Sequence, residues 1–180
     1  MSYLNDIGVP LDEVVCLAIA ELLKSDTIGE FKRDKFIEGW KSVPNVTTTD
    51  AMKTYAQSLR TKIPQDHALY RRIYRYTFPV SRMPPARTLP IEIALDQWQL
   101  LFTSEKGGID MNTPTTPWLD LWLEFVKTHI NRPINKDLWE QIEVFLETAK
   151  KDESLDWHSE DGAWPGAIDE FVTYVKEKRA

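Results

Sequence analysis

The sequence has 180 residues, 42% of them hydrophobic and 28% charged, with 28 acids against 22 lysines and arginines for a formal net charge of −6. Such a chain is long enough for one sizeable core, and its acidity argues against general nucleic-acid binding. No stretch approaches the ~20 apolar residues needed to cross a bilayer, and no basic patch followed by an apolar block opens the chain, so neither a membrane span nor export is expected. The lone cysteine, Cys16, has no internal disulfide partner, which fits the reducing setting of cytoplasm and nucleus.

Residues 11–24 read as the first helix. Leu11, Val15, Ala18 and Leu22 form one apolar stripe, and at 100° per residue Cys16, Ile19, Ala20 and Leu23 form a second on the opposite side. A helix apolar on two faces needs two covers: more core, or a ligand in a groove. Residues 25–40 resemble a helix, tight loop and helix of the EF-hand kind, with Gly29 at the turn and Phe31 as the pairing residue. Calcium is excluded there, because Lys24, Ile28 and Lys35 fall where oxygen ligands are required. Residues 131–139 form a second such loop, paired through Ile134 and also without a carboxylate set.

Thr48 or Thr49 caps a helix to about Lys62 that Pro64 ends. The next carries Tyr70, Ile73, Tyr74 and Phe78 on one face and Arg71, Arg72 and Arg75 on another. Those aromatics keep core spacing, so no nucleic-acid surface is inferred. Pro84, Pro85 and Pro90 make residues 81–90 an irregular connector. A helix follows over 91–102 with Ile91, Leu95, Trp98 and Phe102 as its stripe and Gln97, Leu100 and Leu101 beside it. Pro117 suits a first helical position ahead of Trp118, Leu121, Trp122 and Phe125. Asn135 caps a helix whose Leu138, Ile142, Phe145 and Leu146 point inward, and a last helix begins near Trp164-Pro165 with Ile168, Phe171, Val172 and Val175. Sustained alternation is missing throughout, so the expected fold is all-α, a single helical domain over 1–180 built from two EF-hand-like helix pairs without calcium ligands.

Reactive groups are sparse. His67, His129 and His158 are far apart in sequence, no cysteine pair offers a zinc site, and neither a phosphate-binding glycine loop nor a nucleophile elbow is present. No catalytic residue, metal or cofactor is therefore expected, and a binding protein remains. Charge is unevenly spread: residues 137–171 hold eleven acids and two bases, net −9, leaving the remainder at +3. A basic partner would be drawn to that end.

Three stretches are distinctive: LDLW at 119–122, INKDLW at 134–139 and DGAWPGAIDEF at 161–171, with YLNDIGV at 3–9 and IGEFKRDKFIEGW at 28–40 in register. Together they resemble the potentiating-neddylation domain of the defective-in-cullin-neddylation family over essentially the whole chain. The additional amino-terminal ubiquitin-binding (UBA) module common in members is not expected within residues 1–180. The resemblance implies a non-catalytic scaffold for cullin neddylation that binds the cullin carboxy-terminal domain and the neddylation conjugating enzyme, with the RING-box subunit involved indirectly. It carries over a cullin-binding patch at Asp137, Ala163 and Asp169. Two carboxylates there can take charge-assisted hydrogen bonds from lysine or arginine while the small alanine permits close approach. It also implies an apolar pocket for the acetylated amino-terminal methionine of the conjugating enzyme, at Cys16, Ile19, Ala20, Leu23, Ile28, Val80 and Leu100. Acetylation removes a terminal charge that would be costly to bury. Ile28, Val80 and Gln97 depart from the polar or aromatic residues of animal members. The alternative reading is an EF-hand-like helical peptide-binding adaptor unrelated to cullins.

Overall fold

Short polar side chains set several of the helix starts. In the computed structural model, which describes residues 2–180, Thr48 accepts from the Ala51 amide, Asp66 from Leu69 and Asn135 from Leu138, at 2.8 to 3.1 Å. Each removes one of the unpaired amides of a first helical turn. Among the described residues the helices are α1 (Ser2–Asp6), α2 (Val14–Leu22), α3 (Arg33–Lys41), α4 (Thr49–Lys62), α5 (His67–Ser81), α6 (Ile91–Leu101), α7 (Trp118–His129), α8 (Lys136–Lys151) and α9 (Gly166–Arg179). A 3-10 turn, Ile63–Gln65, joins α4 to α5 around Pro64. The all-helical, single-domain expectation holds.

Helix α2 is the central post. It packs on α4 and α5, and every residue from Val14 to Glu21 is buried. Both apolar stripes of α2 therefore face protein. The helix is shorter than its apolar pattern. Leu11 lies outside it and is exposed, and its other end is closed where Lys24 turns left-handed at φ +50° and the Ser25 amide reaches back to the Ala20 carbonyl, a C-terminal cap. Helix α3 comes close because Gly39 has no side chain. A Cβ there would stand 2.7 Å from the Leu22 carbonyl oxygen and 2.8 Å from Leu23 Cδ2.

Packing of α5 on α6 and α8 builds an aromatic stack. The Trp139 ring lies 4.7 Å from Tyr74 and 5.3 Å from Trp98, nearly parallel to both. The Tyr74 hydroxyl donates to the Trp139 carbonyl and accepts from Trp98 Nε1, and Trp139 Nε1 donates to the Tyr74 carbonyl. Buried polar tips are thus satisfied inside an apolar stack, as burial requires.

The pairing expected of Ile134 exists, but its partner is Leu89. The two residues exchange amide-to-carbonyl bonds of 2.9 and 2.8 Å as an isolated antiparallel bridge. This ties the connector before α6 to the loop before α8; no bridge involves Phe31 among the described residues. In α6 the inward residues are Ala94, Trp98 and Leu101, while Ile91 and Leu95 are only half-buried, so the inward face is rotated from the expected stripe. Pro117 is the residue preceding α7 and not its first member.

Candidate functional site

Helices α8 and α9 begin on facing walls of one cleft of about 440 Å³. One wall is the α7–α8 loop with Asn135 and Leu138, and the other is Pro165, Gly166, Ala167 and Glu170. Asp137 lies in the first turn of α8 and Asp169 in the first turn of α9, where the helix dipole favours an anion. The three patch positions expected from sequence sit around the cleft's walls and do not line it. Asp137 and Ala163 are exposed, and Asp169 is partly buried. The loop bearing Ala163 is anchored by Trp164, whose ring meets Phe145 edge-on at 5.6 Å and lies 6.1 Å from Trp157.

Asp169 is held from below. Its Oδ1 lies 2.8 Å from His158 Nε2, and that imidazole is buried. A carboxylate only accepts, so Nε2 is the donor. Sequence reasoning left His158 among isolated histidines; eleven residues separate it from Asp169, and only the fold brings them together.

The acidic window is also less available than its count implies. Glu153 accepts hydrogens from the hydroxyls of Thr113, Thr115 and Thr116, which hold its carboxyl below the usual range. Glu143 is fully buried and takes both bonds of Arg71 Nε at 3.1 and 3.3 Å, while Glu147 contacts Arg71 and His67. Burial pushes the Glu143 carboxyl above its ordinary pKa, with Arg71 pulling the other way. His67, Glu143 and Glu147 together place three possible metal-ligand atoms within 4.8 Å. Arg71 already occupies both carboxylates, so the group functions as an ion-pair clamp between α5 and α8.

The apolar positions assigned to the second site divide in two. Cys16, Ile19, Ala20, Leu23 and Val80 are buried at 0–3% exposure, whereas Ile28 and Leu100 are half-buried. An open groove floored by α2 is not formed in this conformation, because α4 and α5 cover that helix. Burial pushes the Cys16 thiol up to about 11, so it stays protonated and is a packing group, not a nucleophile.

Two aspartates, one of them pre-organised, thus stand at the starts of α8 and α9 beside one cleft whose lining also holds His129, Arg132 and Glu170. Residues 51–174 match a family profile described as Cullin binding, and the chain belongs to that family. It is 33% identical over 99% of its length to "Defective in cullin neddylation protein 1" of Pyricularia oryzae, covering 66% of that protein. It is 34% identical over 98% of its length to the protein of the same name from Yarrowia lipolytica, covering 69%. With "DCN1-like protein 5" of Bos taurus the identity is 28% over 99% of this chain and 70% of the other. The chain thus spans about two thirds of the length of these relatives.

Proposed function

We propose that this chain is a non-catalytic adaptor in cullin neddylation, contacting the cullin carboxy-terminal domain through Asp137, Ala163 and Asp169 and the acetylated amino terminus of the neddylation conjugating enzyme through an apolar site at α2. The observation that carries the first contact is the pair of aspartates at the starts of α8 and α9 around one cleft, with Asp169 fixed by a buried histidine. A basic, protruding segment of the partner suits that rim, since fixed carboxylates form strong bonds with lysine and arginine at little ordering cost.

The second contact takes a different form from an open slot. Ile28 and Leu100 offer accessible apolar surface, and the acetyl-methionine enters beside them as side chains covering Cys16, Ile19 and Val80 shift. Holding both partners on one body raises the effective concentration of thioester and cullin lysine and restricts their approach. The RING-box subunit is brought in through the cullin. No side chain of this chain takes part in bond making.

The test is calorimetric titration with the cullin carboxy-terminal domain. Charge reversal by Asp137→Lys or Asp169→Lys should weaken binding by about tenfold or more, given ~1.5–3 kcal/mol for a hydrogen bond to a charged group. Unchanged binding by both variants, each shown to be folded, rules the patch out.

A further inference from the structure

A second cleft, at the end of α2, where Ser25 lies two residues past Leu23 and Arg82 two past Val80 of the apolar site proposed above, carries unused positive charge. It measures about 600 Å³ and is lined by Ser25 and Asp26 after α2, Tyr76, Pro79 and Arg82 at the end of α5, and the connector residues Pro84 to Arg87. Neither the Arg82 nor the Arg87 guanidinium forms an ion pair with a described residue. Asp26, the acid in the lining, is already taken by Lys32 at 2.6 Å and Lys35 at 3.2 Å. Lys24 stands above the Tyr76 ring, 5.7 Å from its centre, and is paired with Glu21. Glu21 is likewise engaged, by Lys24 and Arg72.

Two buried polar atoms in this lining have no hydrogen-bond partner among the described residues, Ser25 Oγ and Arg82 Nε. Ser25 is 4% exposed. A buried donor left unpaired is destabilising and calls for an explanation. Its carbonyl is used, by the Tyr76 hydroxyl, but its side chain is not. Arg82 is steadied over the Phe78 ring at 5.8 Å and also stands at the C-terminal end of α5, where the helix dipole favours a cation. The dipole accounts for Arg82 alone; Arg87 and Ser25 need a different reason. Three prolines stiffen the rim, and Met83 beside them is 64% exposed.

We infer that this cleft is a docking site for an acidic peptide segment of a partner protein, with carboxylates on Arg82 and Arg87, the Ser25 hydroxyl donating to the same anion, and the chain lying across Met83 and the prolines. The cationic lining sets the ligand's sign, and the exposed Met83 next to Pro84 and Pro85 gives the chain an apolar edge to lie across. A free phosphate would satisfy the arginines and leave Met83 bare.

The test uses the full chain and three probes: fluorescent hexaglutamate, fluorescent hexaglutamine and inorganic phosphate. Hexaglutamate should bind in a salt-sensitive manner and hexaglutamine should not. Arg87→Gln should weaken binding about fivefold to tenfold, and Arg82→Gln with Arg87→Gln further, each charged contact contributing about one decade or less. Ser25→Ala should weaken it a few-fold with no loss of thermal stability. Asp137→Lys, on the other surface, should leave it unchanged. Equal binding of hexaglutamine, or no effect of Arg87→Gln in a folded protein, overturns the proposal. Phosphate displacing the peptide with comparable affinity overturns it in favour of a small-anion site. Because Asp137→Lys is also the adaptor test, loss of cullin binding there with hexaglutamate binding intact separates the two surfaces.

Discussion

His158 Nε2 donates to Asp169 Oδ1 across 2.8 Å, with the histidine side chain 4% exposed and the aspartate side chain 24%. One carboxylate oxygen is therefore committed inward while the other stays available to a partner. This fixes the rotamer of a rim residue before any partner arrives, and such pre-organisation lowers the ordering cost of binding. Replacing His158 by Phe, which suits the surrounding Phe145 and Trp157 rings, removes the donor but keeps the bulk. Cullin affinity should fall about threefold to tenfold, within the ~0.5–1.5 kcal/mol of a newly mobile side chain, while His158→Gln restores part of it. Equal affinities for the wild type and His158→Phe, where Asp169→Lys does weaken binding, would show that the histidine serves only the core.

Much of the fold was readable in the chain because its caps are local. Thr48, Asn135 and Pro64 sit where short-range chemistry alone says a helix starts or stops, and the apolar spacing of α5, α8 and α9 matches their buried faces. What escaped depends on long-range partners. Ile134 could be identified as a pairing residue, but its choice of Leu89 is set by how two loops meet. The second stripe of α2 left core and groove open, because sequence shows that a face is apolar without showing what covers it. The acidic window looked uniformly available because nothing local to Glu143 or Glu153 reveals Arg71 or three threonines arriving from elsewhere.

Tyr74 is the polar hinge of the core, since its hydroxyl serves both the Trp139 carbonyl and Trp98 Nε1. Tyr74→Phe keeps the stacked ring and leaves two buried groups without that partner. A loss of about 1–3 kcal/mol is expected, read from chemical denaturation, with the denaturant slope unchanged. Trp139→Ala should cost more, about 3–5 kcal/mol, because it empties the centre of the stack. A Tyr74→Phe variant as stable as the wild type would contradict the hydrogen-bond assignment.

Gly39 tests the close approach of α3 to α2. A methyl group at this position would meet the backbone oxygen of Leu22 at 2.7 Å, and backbone cannot rotate away as a side-chain tip can. Gly39→Ala would gain up to ~1 kcal/mol from helix propensity in an open helix. Here the melting temperature should fall instead, since overpacking typically costs about 1–3 kcal/mol. A rise would mean that the two helices part without penalty.

Glu143 gives stability a specific pH dependence. Its folded-state pKa is raised above 4.5, chiefly by burial, so the folded protein holds that proton more tightly than the unfolded chain does. The associated stability is fully present below the ordinary glutamate value and is lost as pH rises through the raised one. Glu143→Gln, which stays neutral, should remove this loss. Unfolding free energies of the two proteins compared from about pH 4 to about pH 7 should show the wild type losing ground with rising pH. The opposite slope would mean that the Arg71 bonds outweigh burial and that the carboxylate is net favourable in place.

The half-open apolar site makes a prediction that distinguishes surface from core. Ile28 and Leu100 are half-buried, whereas Ala20 is 1% exposed within the α2 packing. Ile28→Lys or Leu100→Lys should weaken binding of an acetylated amino-terminal peptide of the conjugating enzyme about tenfold or more, as expected for a charge placed against buried apolar surface, and leave cullin affinity untouched. Ala20→Gln should lower the melting temperature before it affects any partner, because no space surrounds it. Peptide binding should also be slower than a surface encounter, with an association rate below the usual ~10⁵–10⁷ M⁻¹s⁻¹, since side chains must first move. Stopped-flow fluorescence would measure that rate. Fast binding that ignores Ile28 and Leu100 would place the peptide elsewhere on the molecule.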